Sequence, residues 1–291
     1  MADTVSFAHQ QAWAEGYYSL AQQRTSRFAR FTRDDGELMG KWVWFNRIGS
    51  VEMVKRTSRN QDTNIIDVPH SRRGCPLADY ELGELIDPRD LHKLMDPQNA
   101  YVRNAVMAAN RNRDSVILAA VNGSAVSADD DDTQTSNSLP NAQKVVVGGT
   151  GLTLAKLRSA REILRASEAV MPEDEEDLPF ALSAAQMDDL LTVTEFKSRD
   201  YVDGSSMRKG RVAYGMGFVF IETELLSTDS SSSRLCLTWK PSAIGFRDPD
   251  SVNPSVDRRP DKGNAIQVYG KQSVGAVRIE DVAVVEVACA E

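Results

Sequence analysis

Residues 97–122, PQNAYVRNAVMAANRNRDSVILAAVN, contain no internal breaker and set the scale of the fold. Asp96 and Pro97 read as an N-cap with proline at the first helical position, and Asn122-Gly123 supplies the C-terminal stop. At the usual rise per residue, such a helix spans about 39 Å. Its second half, SVILAAV, is almost wholly apolar and calls for burial on nearly all sides. NRNRD at 110–114 reads instead as a surface stretch. A helix with one sunken end and one polar stretch works as a backbone for other elements.

Upstream, the period shifts toward strand between Lys41 and Val68. The runs WVWF at 42–45, SVEMVKR at 50–56 and NIIDV at 64–68 are rich in β-branched and aromatic residues, and TSRNQDT joins the last two. This predicts a β-hairpin with its tip near Ser58–Thr63. Its strands carry too few apolar residues to bury two faces, so the hairpin projects and needs a neighbour to lie on. Before it, residues 1–37 mix aromatics (Phe7, Trp13, Tyr17, Tyr18, Phe28, Phe31) with Gln and Arg. Spacing over Ser6–Phe31 is partly helical, and an arm this short packs on something else.

Downstream, SAVSADDDDTQTSNSLPNAQK (124–144) is acidic and poor in large apolar groups, which predicts a loop or flap. Its DDDD run lacks the alternation and glycine of a calcium loop. VVVGGTGLTLAKLRSAREIL (145–164) places a Gly-rich turn between a short strand and a helix, the parts of a phosphate-binding unit. Leu154 stands where the third glycine of GxGxxG belongs, and no GK[ST] follows. Beyond it come LPFAL (178–182), a capping-box start at Ser183–Gln186, and strand-like runs at 211–222, 234–239, 242–246, 264–270, 274–279 and 282–288. Glycines 215 and 217 inside one run suggest a bulge or close backbone approach. The pattern is α+β, without βαβ regularity.

With 291 residues, 41% hydrophobic and 26% charged, the chain has globular composition, as one large domain or two ordinary ones. No apolar run approaches the roughly 18–20 residues that span a bilayer, so no membrane partner is expected. The first residues do not read as a secretory signal. Cys75, Cys236 and Cys289 lie far apart without CxxC spacing, which fits a reducing compartment. Net charge is −8, which argues against a surface that grips nucleic acid throughout. Residues 24–73 nonetheless carry 11 Lys/Arg against 6 Asp/Glu, leaving 23 against 36 elsewhere. A basic hairpin on an acidic body suits a contact with the acidic surface of another copy.

Nothing in the residues calls for catalysis. His9, His70 and His92 fall in no metal-ligand spacing, and neither GxSxG nor a Cys–His signature occurs. No catalytic residue, cofactor or metal is assigned.

The order of elements resembles the major capsid protein of tailed bacteriophages, the Hong Kong 97-type fold, in the group seen in many short-tailed phages and prophages. The likeness is carried by DVPHSRRGCPLAD (67–79), DPRDLHKLMDPQNAYV (87–102), ANRNRDSVILAAVNGSA (109–125), LTLAKLRSAREIL (152–164), LPFALSAAQMDDLL (178–191) and QVYGKQSVGAVRIEDVAVVEVAC (267–289). The resemblance implies an N-terminal arm at 1–37, an extended loop at 38–78, and a peripheral domain at 79–144 with spine helix 97–122 and the acidic flap. An axial domain at 145–262 and return strands at 263–291 complete it. It implies a non-enzymatic shell subunit, assembled in the host cytoplasm as hexamers and pentamers and enclosing double-stranded DNA without sequence specificity. A portal protein, a separate scaffolding protein and a cement protein are further implied partners. Lys55, Arg56, Arg59, Arg72 and Arg73 are the expected inter-subunit contacts. Lys55 is the one lysine in the hairpin strands and no Asn or Glu partner is placed by motif, so covalent crosslinks are not expected. Two alternatives stand beside this reading: an encapsulin-type compartment with enzyme cargo, and a nucleotide-binding enzyme built on 145–164.

Overall fold

The structure, a computed structural model, describes residues 22–59, 62–63, 65–86, 98–129, 134–171, 177–193, 211–249 and 254–291. It opens with β1 (Glu37–Met39), β2 (Trp42–Ile48), β3 (His70–Pro76) and β4 (Ala78–Ile86), before the long helix α1 (Gln98–Asn122). Next are β5 (Ala125–Asp129), β6 (Gln134–Asn137), β7 (Lys144–Val145), α2 (Leu154–Ala166), β8 (Leu178–Leu182) and α3 (Ala184–Thr192). Then come β9 (Tyr214–Gly215), β10 (Phe218–Glu222), β11 (Arg234–Trp239), β12 (Ile244–Arg247), β13 (Ser255–Arg259), β14 (Ala265–Arg278) and β15 (Val284–Cys289). The α+β class is as expected. The chain divides into two compact units: Met1–Ala29, Leu77–Val116 and Asp248–Gly275, and Arg30–Pro76, Ile117–Arg247 and Ala276–Glu291. The proposed N-cap of the long helix and most of the N-terminal arm lie outside the described residues.

In the first unit, β4 and β13 flank β14 in antiparallel register, with Ile86 opposite Ile266 and Val256 opposite Val268. Alternation along these strands gathers Ile86, Ile266 and Val268 into a small core that Tyr101 and Val102 of α1 close. The sequence suggested a break between 270 and 274, where Lys-Gln-Ser interrupts the apolar pattern. The strand runs through it because the polar groups are met: the Gln272 amide donates to Asp248 (3.2 Å) and the Ser273 hydroxyl to Asp79 (2.5 Å).

In the second unit a five-stranded sheet has the order β1-β2-β3-β5-β6, and a six-stranded sheet the order β7-β15-β11-β8-β10-β9. All five residues of β8 are buried, and Phe180 meets Phe218 and Phe220 edge-on at 5.5 and 5.7 Å. Helix α2 buries Leu157, Ala160 and Leu164 along one face, and α3 starts with the expected capping box of Ser183 and Gln186. The apolar end of α1 sinks here, with Ile117 and Val121 closed to solvent.

Two local expectations change. The described part of the flap holds two strands rather than loop alone: β5 and β6 pair with each other and β5 pairs with β3. AVSAD and QTSN carry little β-branched or aromatic bulk, yet the Ser127, Thr135 and Asn137 side chains bond across the ladder. The apolar runs at 50–56 and 64–68 are not strands, since no described residue between Gly49 and Pro69 is paired in a sheet. High β-propensity without a partner edge does not make a strand.

Candidate subunit-contact surface

The hairpin is anchored at its base. Strands β2 and β3 pair from Trp42↔Pro76 to Ile48↔His70, and the Gly49 amide donating to the Pro69 carbonyl (2.8 Å) closes the ladder. Trp42 and Trp44 stack with ring centres 5.4 Å apart, and the Arg72 guanidinium lies 4.7 Å above the Trp44 ring. Arg47 donates to the Ile279 carbonyl (2.7 Å) and to the Ser71 hydroxyl. Arg73, expected at a subunit contact, is 4% exposed and grips both oxygens of Asp281 at 2.8 and 2.6 Å. Its charge is committed within its own chain.

Beyond Gly49 the character reverses. Met53 is fully exposed and Ile65 is 95% exposed; Ile48, Val51, Val54 and Ile66 are also open. Lys55, Arg56 and Arg59 stand among them, all exposed, so three of the five expected contact residues share one open stretch of chain. An apolar, cationic segment carried on a fixed ribbon is the signature of an interaction surface.

Beneath the hairpin, Arg278 is closed to solvent. It donates to the Val121, Gly123 and Asn137 carbonyls at 3.0, 2.6 and 3.0 Å and to Asp281 at 2.6 Å. One cation therefore satisfies the C-terminal carbonyls of α1, ties in β6 and shares Asp281 with Arg73. Burial pushes the Asp281 carboxyl up, but hydrogen bonds from Arg73 and Arg278 outweigh it and hold the group below the usual carboxylate range. Sequence spacing gave no sign of this network, whose members lie in four separate stretches of the chain.

In the first unit, Asp114 corrects the reading of 110–114 as surface. It is wholly buried and accepts from the Ser26 hydroxyl (2.5 Å), the Arg27 and Phe28 amides (2.9 and 3.3 Å) and the Gln23 side chain. Asn110 and Asn104 hold the Arg24 carbonyl and the Gln22 amide, each at 2.9 Å. The described end of the N-terminal arm is thus strapped along α1 by polar groups.

The Gly-rich turn is filled from within. The Leu152 amide donates to Asp189 Oδ2 (2.7 Å), and Lys156 Nζ donates to the Thr150 and Ala288 carbonyls at 2.7 and 2.9 Å. A carboxylate from α3 occupies the place a phosphate would take, and the nearby lysine is used by the backbone, so the nucleotide reading fails. A Cβ at Gly151 would collide with Asp189 Oδ2. Gly151→Ala should therefore lower stability by about 1–3 kcal/mol in thermal unfolding; an unchanged midpoint would refute this packing. Burial pushes the Cys75 thiol up to about 12, away from nucleophilic use. Among the described residues no three His, Cys, Asp or Glu gather as metal ligands, and His9 and His92 lie outside them.

A family model described as phage capsid protein matches residues 5–291. The chain belongs to the phage capsid protein family. No curated protein matches it. The capsid subunit of Ralstonia phage GP4 superposes with a TM-score of 0.71 at 11% identity, covering 99% of this chain and 98% of that one. For the capsid of cyanophage Pam1 the TM-score is 0.69 at 15% identity, with 100% and 99% covered. For cyanophage P-SCSP1u it is 0.69 at 14%, with 95% and 92% covered. This capsid chain therefore has the phage shell fold expected from its sequence, and these findings favour a phage shell over an encapsulin-type compartment.

Proposed function

We propose that this chain is the major capsid protein of a tailed phage, tiling as hexamers and pentamers into an icosahedral shell around double-stranded DNA. The observation that carries the reading is the exposure of 51–59 and 65–67 beyond the anchored ribbon. Met53 and Ile65 supply apolar area, Lys55, Arg56 and Arg59 supply charge, and the acidic remainder of a neighbouring copy supplies the complement. Arg72 and Arg73 act one step back, by fixing the ribbon from which those residues project.

In this reading 1–37 is the arm, 38–78 the extended loop, 79–144 the peripheral domain, 145–262 the axial domain and 263–291 the returning strands. The role is structural, within the virion. Each contact is modest and the shell is held by many of them. Portal, scaffolding and cement proteins are its further partners, DNA is enclosed without sequence readout, and assembly takes place in the host cytoplasm.

Electron microscopy of the purified protein, co-expressed with its scaffold where needed, tests the reading. Closed shells are expected from the full chain and none from a variant in which 51–68 is replaced by a short glycine linker. Near-ultraviolet circular dichroism of that variant should match the full chain, because the ladder ends at Gly49–Pro69. Shells from the shortened variant would overturn the role of the segment, and a stable monomer from the full chain would overturn the shell itself.

A further inference from the structure

Strand β4 (ADYELGELI) pairs with β14 along one side, and no described strand pairs with the other, so an edge of nine residues stands open. Asp79 and Glu81 are exposed on it, Glu84 lies further along, and the strand carries no cation. Between this sheet and α1 runs a groove of about 190 Å³, wholly within the first unit. Tyr80 and Leu82 of β4, Gly270 of β14 and Ala105, Ala108 and Ala109 of α1 form most of its wall. The groove exists because alternate residues of β4 face the helix, where alanines at i, i+3 and i+4 leave one face short of bulk. Lys271, the one cation among the lining residues, stands opposite Glu81 across the ladder.

An open edge is a template for another strand. The β4 of a second copy suits it poorly, because carboxylates would gather along one ladder with no cation between them. Residues 51–56, VEMVKR, suit it well: they are rich in β-formers, unpaired in any sheet, and end in Lys55 and Arg56. Within its own chain this run is not docked, since Met53 is fully exposed and Val51 and Val54 are open. We infer that residues 51–56 of a second copy add to the open edge of β4 as an antiparallel strand, with Met53 opposite Leu82 and seated in the groove. Methionine is unbranched and fills an irregular gap readily. The charges fix the direction. With Met53 opposite Leu82, an antiparallel strand sets Arg56 opposite Asp79, whereas a parallel one would set Glu52 opposite Glu81. The inference rests on the shell reading and names the surface on which its exposed segment lands.

Three measurements test it, on the full chain under conditions where wild type forms particles. Chains bearing Met53→Cys and chains bearing Leu82→Cys, mixed before assembly and oxidised as particles, should join into dimers beyond the level of either variant alone. The three native thiols are buried. Val54→Cys mixed with Leu82→Cys should join far less, because those positions fall on opposite faces of the ladder. No dimer in the first mixture, or equal yields in both, overturns the strand. Met53→Ser should lower the assembled fraction in sedimentation by about tenfold, as for one apolar side chain no longer buried. The thermal midpoint of the unassembled chain should hold, since Met53 is fully exposed there. Met53→Leu should assemble as wild type does, and unchanged assembly of Met53→Ser overturns the seat in the groove. Photo-leucine at position 82, in particles mixed from nitrogen-14 and nitrogen-15 chains, should couple to 51–56 of the other isotope. Coupling to any other segment, or only within one chain, would give the groove another occupant and overturn the proposal. Wild-type chain that forms no particles would count against the shell reading instead.

Discussion

Arg278→Met costs the chain about 3–5 kcal/mol, the expected price of breaking a buried ion pair from one side. Methionine retains most of the aliphatic stem, so the loss is polar. The Val121, Gly123 and Asn137 carbonyls lose the donor that Arg278 supplies, and Asp281 keeps only Arg73. Urea unfolding followed by tryptophan fluorescence reads the change, and a midpoint within error of wild type would refute the hub. The pH dependence has a fixed sign. Because the folded-state pKa of Asp281 is depressed, its contribution is present above the unfolded carboxylate pKa and is lost as pH falls through the folded value. With Arg278 gone, one of the two hydrogen bonds opposing burial is gone too. Acid unfolding of the variant should therefore begin at higher pH than that of wild type.

Asp114→Ala should release the arm without unfolding α1. Four donors from residues 23–28 converge on this carboxylate, and hydrogen bonds to a charged group are worth about 1.5–3 kcal/mol each before they compensate one another. A net loss of about 3 kcal/mol in arm docking would multiply local opening more than a hundredfold. Trypsin cleavage after Arg24 and Arg27 should accelerate accordingly, while helical circular dichroism changes little. Asp114→Asn retains one acceptor oxygen and should fall between the two. Equal cleavage rates in wild type and Asp114→Ala would mean that the arm is held elsewhere.

Both sites were hidden for the same reason. Asp114 sits in NRNRD, and a polar run on a helix ordinarily faces water. Here it faces the polar backbone of the arm, whose amides need acceptors as much as any apolar face needs cover. Arg278 is the last residue of β14, and its neighbours in sequence give no local hint of the carbonyls it serves. The exposed apolar segment around Met53 departs from expectation in the opposite sense. Its β-branched residues argued for strands, but nothing in the described chain pairs with them. The same limit applies to the flap, where short runs of small residues form strands because the edge of β3 is open to them.

Local sequence was enough for the long helix and its stop at Asn122-Gly123, the helix after the Gly-rich turn, the capped helix at 184, the α+β class and the charge split. All of these are encoded in residues near one another along the chain, through capping, periodicity and turn chemistry. Long-range packing settled that the ribbon pairs 42–48 with 70–76 rather than 50–56 with 64–68, that Arg73 turns inward to Asp281 and that Asp189 fills the glycine turn. Those outcomes depend on which distant donors and acceptors are brought within about 3 Å of each other, and hydrogen bonding at that range has no footprint in local sequence.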